Sequence, residues 1–220
     1  MPEALVEARN VARTYRIGEQ TVVAVQDATC RVDAGARIAL QGPSGSGKST
    51  LLQLLGGIEE LASGSIRWPA LGERAELRPR HIAFVFQRDS LLAPLTVIEN
   101  LELPLVLQLA AHEDARARSL EALELFGLSD LFDKLPEELS GGQSQRVAFA
   151  RAVAMRTELI LADEPTGQLD TQTAQEFLDT ALRVLDAQGT TLLVATHDER
   201  VAKRMQTRWH ISHGKLETAG

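Results

Sequence analysis

The chain is short of several things, and each shortage excludes something. It has one cysteine, Cys30, so it can form neither an internal disulfide nor a zinc site built on paired cysteines, and nothing in it demands an oxidising compartment. Aromatic residues make up only 4% of its 220 residues, which leaves Leu, Val, Ile and Ala to build the core. It has no basic excess: 23 Lys and Arg stand against 30 Asp and Glu, a formal charge of -7. A free-standing nucleic-acid binder that works by neutralising phosphates is normally basic, so no nucleic-acid partner is expected. No uninterrupted apolar run of about 20 residues is present. The most apolar long stretch, residues 91–111, is broken by Pro94, Glu99, Asn100, Glu102 and Pro104. The opening MPEALVEARN is acidic where a signal peptide begins basic and turns apolar, so a cytoplasmic chain is expected, one that serves a membrane only through a partner.

What is present is an ordinary globular balance, 44% hydrophobic and 24% charged, in a chain long enough to bury about 70% of its unfolded surface. No repeat, low-complexity tract or Gly/Ser linker marks a domain boundary. Short β-type runs at residues 21–25, 29–32 and 37–40 are separated by the turn signal Asp33-Ala34-Gly35. Further strands are predicted at 65–68, 81–86, 159–162 and 191–195; the last two are continuous apolar runs, as in a parallel sheet buried on both faces. Between Arg88 and Arg156 the period becomes helical, with helices predicted at 96–103, 113–126 and 143–155. The pattern describes an α/β core, residues 1–87 and 157–220, interrupted by a helical subdomain, residues 88–156.

Residues 42–50, Gly-Pro-Ser-Gly-Ser-Gly-Lys-Ser-Thr, match G-x-x-x-x-G-K-[ST] between an apolar strand and the helically spaced Leu51, Leu52, Leu54 and Leu55. Gly42, Gly45 and Gly47 let the backbone turn its N–H groups inward, with Pro43, Ser44 and Ser46 between them, and the following helix start adds a positive dipole end. Lys48 reaches β and γ phosphates; the Ser49 hydroxyl, beside Thr50, ligates Mg²⁺.

The apolar run 159–162 ends in Asp163 and Glu164. In an α/β sheet ligands bind at the carboxyl ends of strands, where the phosphate loop also opens. Asp163 is thereby the candidate for Mg²⁺, and Glu164 for polarising a water.

Ser140, followed three residues later by Gln143, forms a capping-box pattern ahead of a striped helix. Capping does not require the two glycines between them. Gly141 and Gly142 leave backbone N–H groups uncovered, so this helix start is a second potential anion site.

With these motifs in this order, the chain resembles the nucleotide-binding subunits of ABC transporters over essentially all of its length. Leu139 to Gln143 is similar to the LSGGQ signature, Gln87 to the Q-loop glutamine, Asp170 to the D-loop aspartate, His197 to the switch histidine, and Tyr15 to the aromatic that stacks on adenine. The resemblance implies a P-loop NTPase core of RecA type, with an N-terminal antiparallel β subdomain and an inserted α-helical signature subdomain. It also implies an ATPase whose head-to-tail dimer holds two ATP, each between one copy's phosphate loop and the other's signature. By the same resemblance Gln87 contacts Mg²⁺ and couples to a membrane partner, His197 touches the γ-phosphate, and Asp170 organises the subunit contact. Within the family, segments such as Phe84-Val-Phe-Gln87, Glu99-Asn100 and Leu103-Pro104-Leu105 resemble the branch of macrolide exporters, lipoprotein-release ATPases, peptide-resistance transporters and the cell-division ATPase. That branch serves integral membrane permease-type subunits, so a peripheral place on the cytoplasmic face of the membrane is implied. Gln168, where Asn is usual, and Ser144, where Gln or Glu is frequent, depart from the pattern.

An alternative is a soluble ABC ATPase acting on DNA or ribosomes. Chromosome-type members need long coiled-coil arms, whereas only about 115 positions without sustained heptads separate Lys48 from Asp163. Ribosome-type members carry two cassettes in one chain. A phosphate-loop kinase would leave residues 140–143 without a purpose. Of the other histidines, His81, His112, His210 and His213 form no metal pattern, and the last two are predicted to flank an exposed C-terminal hairpin.

Overall fold

The structure, a computed structural model, describes residues 3–87, 90–108 and 111–218. In chain order the strands are β1 (Ala4–Ile17), β2 (Gln20–Asp33), β3 (Arg37–Gln41), β4 (Ser63–Arg67), β5 (Ile82–Val85), β6 (Leu159–Asp163), β7 (Thr191–Thr196), β8 (Thr207–Ser212) and β9 (Lys215–Thr218). The helices are α1 (Lys48–Leu55), the irregular turn α2 (Leu77–Arg80), α3 (Val97–Leu107), α4 (His112–Leu125), α5 (Gly141–Ala154), α6 (Thr171–Gln188) and α7 (Glu199–Ala202). The chain divides into two compact units. One comprises residues 1–77, 161–163 and 191–220, the other residues 78–160 and 164–190.

In the first unit β1 and β2 form a long antiparallel hairpin with β4 along the other edge of β1. Sequence patterning predicts two short runs at 21–25 and 29–32. The structure joins them into one strand, because Asp27 takes a left-handed conformation (φ 49°) at a register shift, and a bulge bends a strand without ending it. The predicted strand 65–68 begins earlier and stops before Trp68, whose indole N–H instead donates to the Leu55 carbonyl at 2.8 Å and so satisfies an orphan group at the end of α1.

The second sheet of this unit carries the chemistry. Parallel β7 and β8 flank β3, the end of β6 lies beyond β7, and β9 closes the edge antiparallel to β8. All six residues of β7 and the first four of β3 are buried, as apolar runs in a parallel sheet must be. Beneath them Leu51, Leu52, Leu54 and Leu55 of α1 are fully buried, worth about 2 kcal/mol each. His210 and His213 are exposed, with His213 in the turn between β8 and β9.

In the second unit α3 to α6 gather beside β5 and the first residues of β6. Half of the chain's six phenylalanines meet here: Phe126 lies edge-on to Phe149 at 5.8 Å, and Phe149 edge-on to Phe177 at 5.0 Å. The predicted helix 96–103 starts one residue later, with Thr96 as its cap, and runs through Pro104 to Leu107. Buried Asn100 moulds the preceding segment, accepting from Leu92 N–H at 2.7 Å and donating to the carbonyls of Leu92, Leu95 and Thr96. The helix predicted at 143–155 begins at Gly141, so both glycines lie in its first turn. Among the described residues no helix is long and apolar enough to cross a membrane.

Candidate functional site

The first unit carries Tyr15, the 42–50 loop, Asp163 and His197; the second carries Gln87, residues 140–143, Glu164 and Asp170.

In the first unit the loop leaves the end of β3 at Gly42, and His197 follows the end of β7. Gln41 and Thr196 are register partners, so both segments emerge side by side, with Asp163 ending β6 on the far side of β7. Gly47 caps α1 at φ 107°, and a Cβ there would collide with the Ala24 carbonyl, so only glycine fits. A Cβ at Gly42 would strike the Ile211 carbonyl in the same way. The turn after β8 braces the loop: Gly214 N–H donates to the Ser46 carbonyl at 3.0 Å, while Gln26 N–H donates to the Gly214 carbonyl at 2.9 Å. Pro43, Ser44, Gly45 and Ser49 are exposed along the loop, Ser46 is buried, and Thr50 is half-buried. Lys48 is 8% exposed and turns its ammonium onto the carbonyls of Gly42 (2.8 Å) and Pro43 (3.0 Å). A cation held over the loop, above helix N–H groups that have no intrahelical acceptor, makes an anion cradle.

Around it the supports are polar. Gln41 Nε2 donates to Glu199 at 2.8 Å, and this bond, with Arg208 and Lys203 nearby, holds the Glu199 carboxyl below the usual carboxylate range. Asp198 caps α7 and pairs with Arg200 at 2.8 Å, which likewise holds its carboxyl below the usual carboxylate range. His197 itself is exposed. Tyr15 is half-buried, with the Arg13 guanidinium 4.8 Å from its ring centre and Arg13 anchored on Glu59 at 2.7 Å, so one ring face is already covered by a cation.

In the second unit Ser140 and Gln143 cap α5 reciprocally: Gln143 N–H donates to Ser140 Oγ at 3.2 Å, and Ser140 N–H to Gln143 Oε1 at 2.8 Å. The glycines have a second reason to be there. A Cβ at Gly141 would collide with the Gln168 carboxamide, and one at Gly142 would lie 2.9 Å from Leu169 Cδ2, so the segment before α6 packs directly on this helix start. Gln87 is exposed and lines a cleft of about 650 Å³ together with Gly141, Ser144, Gln145 and Gln168. Asp170 is exposed and caps α6, accepting from Gln172 and Thr173 N–H at 3.0 Å each; the Thr173 side chain first, and then these backbone bonds, hold its carboxyl low. Glu164 is 6% exposed and sits at φ 48°.

Sequence reasoning missed Gln145. It is buried, donates to the Glu164 carbonyl at 2.6 Å and accepts from Gln168 N–H at 2.9 Å. The signal was available, since Gln145 opens the stripe Gln145, Ala148, Phe149, Ala152 and is the one polar member of it.

A family model described as ABC transporter matches residues 25–167. The lipoprotein-releasing system ATP-binding protein LolD of Pseudomonas fluorescens is 40% identical, over 97% of this chain and 97% of that protein. The macrolide export ATP-binding/permease protein MacB of Burkholderia thailandensis is 42% identical over 98% of this chain, which spans only 34% of that longer protein. Among solved structures, the dimeric post-hydrolysis state of the ATP-binding cassette MJ0796 bound to ADP and Pi superposes with a TM-score of 0.88 at 35% identity, covering 98% of this chain and 99% of that one.

Proposed function

The chain belongs to the ABC transporter family as an ATP-binding, ATP-hydrolysing cassette of the MacB and LolD type, and from that premise we propose that it works as a head-to-tail homodimer around two ATP and drives a separate membrane subunit. One observation supports this reading: the Lys48 cradle opens at the same sheet end as Asp163 and His197; the helix start at Ser140 would serve the nucleotide of another copy. Lys48 and the 42–50 backbone hold the β and γ phosphates, and Tyr15 stacks on adenine. Ser49, Asp163 and Gln87 supply only oxygen donors, a set that suits Mg²⁺ and no softer metal. When bound, that ion neutralises charge developing on the phosphates. Glu164 orients and deprotonates the attacking water, His197 contacts the γ-phosphate, and residues 140–143 close on the second copy's nucleotide beside Asp170.

Residues 88–156 form the insertion that transmits the stroke. Exposed Leu92, Leu103, Val106 and Leu107 support a membrane subunit as the partner of this surface, which would place the chain peripherally on the cytoplasmic face. Export, lipoprotein extraction and mechanical transmission all fit such a subunit.

The test is Glu164→Gln. It is expected to bind ATP, to lose at least about 10²-fold in turnover, and to elute as an ATP-dependent dimer. Wild-type turnover in this variant would sink the role of Glu164, and absence of any co-purifying integral membrane protein would count against the partner.

A further inference from the structure

Glu164 carries a side chain in a left-handed backbone conformation, φ 48°. Such a conformation is strained and persists only where its surroundings over-determine it. The turn that follows supplies one restraint, Gly167 N–H donating to the Glu164 carbonyl at 3.1 Å. The other comes from outside the turn. Gln145 Nε2 donates to the same carbonyl at 2.6 Å, and Gln145 Oε1 accepts from Gln168 N–H at 2.9 Å.

Both ends of one primary amide are thus spent on two backbone groups of a single turn. The side chain is 6% exposed, so its bonds face little competition from water; without it the Gln168 N–H loses this acceptor and the Glu164 carbonyl keeps the Gly167 N–H but loses its restraint from α5. Fixing the carbonyl of Glu164 fixes the peptide plane after it, and with it the direction of its Cα–Cβ bond. Gln145 stands one turn into α5, the helix that Ser140 caps, and Gln168 rests against Gly141 at the start of that helix. A closed circuit therefore runs from the helix start through Gln168 and Gln145 to Glu164.

We infer that Gln145 is a positioning residue for hydrolysis, holding Glu164 in its strained backbone conformation and locking it to the start of α5. This rests on the reading of Glu164 as the group that activates water. Gln145 touches neither nucleotide nor water in this role; it acts through the backbone of Glu164.

Two variants test it. Gln145→Met keeps the length and removes both hydrogen bonds; Gln145→Glu keeps the acceptor for Gln168 and loses the donor to Glu164. Both are expected to lower kcat about 10- to 10²-fold, the range produced by misplacing a reacting group by an ångström. ATP affinity should stay within about threefold, and in a Glu164→Gln background Gln145→Met should cause no further loss, since a group acting through Glu164 has nothing left to act on. Wild-type kcat in both variants would overturn the proposal. So would equal losses of kcat and ATP affinity, an additional loss in the Glu164→Gln background, or full activity in Gln145→Glu. No ATP turnover in the wild-type chain would instead remove the functional reading itself, and this role with it.

Discussion

Gln41 and Glu199 are joined by a 2.8 Å hydrogen bond that ties the last residue before the phosphate loop to the second residue after His197. Arg208 holds the same carboxylate from β8 at 3.0 Å. The link sets how far the His197 segment stands from the cradle. Glu199→Ala should therefore lower ATP turnover by about threefold to tenfold, with affinity changed by less than about twofold. Steady-state kinetics beside calorimetric titration decides this, and an unchanged kcat would show that the bond positions nothing.

The glycines differ in what surrounds them, and so should their variants. Gly47→Ala forces a Cβ into the Ala24 carbonyl at φ 107°, and loss of ATP affinity by more than about tenfold is expected, since the cradle must open to admit it. At Gly141 only the flexible end of Gln168 must move. Alanine there should leave stability unchanged or raise it by up to about 1 kcal/mol, the helical preference of Ala over Gly. Gly142→Ala meets Leu169 Cδ2 at 2.9 Å and the Gln168 backbone carbonyl at 3.1 Å and should be the less stable of the two. Denaturant melts that reverse this order would contradict the packing.

Acid should expose the Asp198 cap. Its carboxyl is held below the usual range chiefly by the Arg200 side chain, so its folded pKa lies under its unfolded one. Its stabilising contribution is complete above the ordinary aspartate value of about 3.9 and disappears as pH falls through the lower folded value. Asp198→Asn should melt below wild type at pH 7, and the gap should close as pH drops below about 4. A gap that persists unchanged in acid would show that charge is not what the cap contributes.

Cys30 lies buried in β2, and burial pushes its thiol up to about 12. At pH 8 it should resist iodoacetamide in the native chain and react at the rate of a free thiol in urea, read by mass spectrometry. Native labelling at the free-thiol rate would mean that the β1–β2 hairpin opens far more readily than its packing allows.

The phosphate loop was legible from sequence because its requirements are local: glycines where the backbone turns back on itself, a lysine at fixed spacing, a strand before and a helix after. Asp163 was legible for a similar reason, as the end of an apolar run. The continuity of β2 was not, since Asp27 reads as a break, and only pairing with β1 makes it a bulge. Helix α6 went unnamed although Ala174, Phe177, Leu178, Ala181 and Leu185 carry its period, with Asp170 as its cap. The pairing of Gly141 with Gln168, and of Gln145 with Glu164, joins residues 19 or more positions apart. Such contacts leave no trace in spacing, only the hint of a polar residue in an apolar stripe.

The brace of the cradle bears on how the molecule is made. The loop at 42–50 leaves the ribosome well before the groups that close on it, the carbonyl of Ile211 over Gly42 and the amide of Gly214 on Ser46. A nascent chain that has released its phosphate loop still lacks the wall behind it. The cradle is thus finished only when the β8–β9 turn has been made and folded back against it.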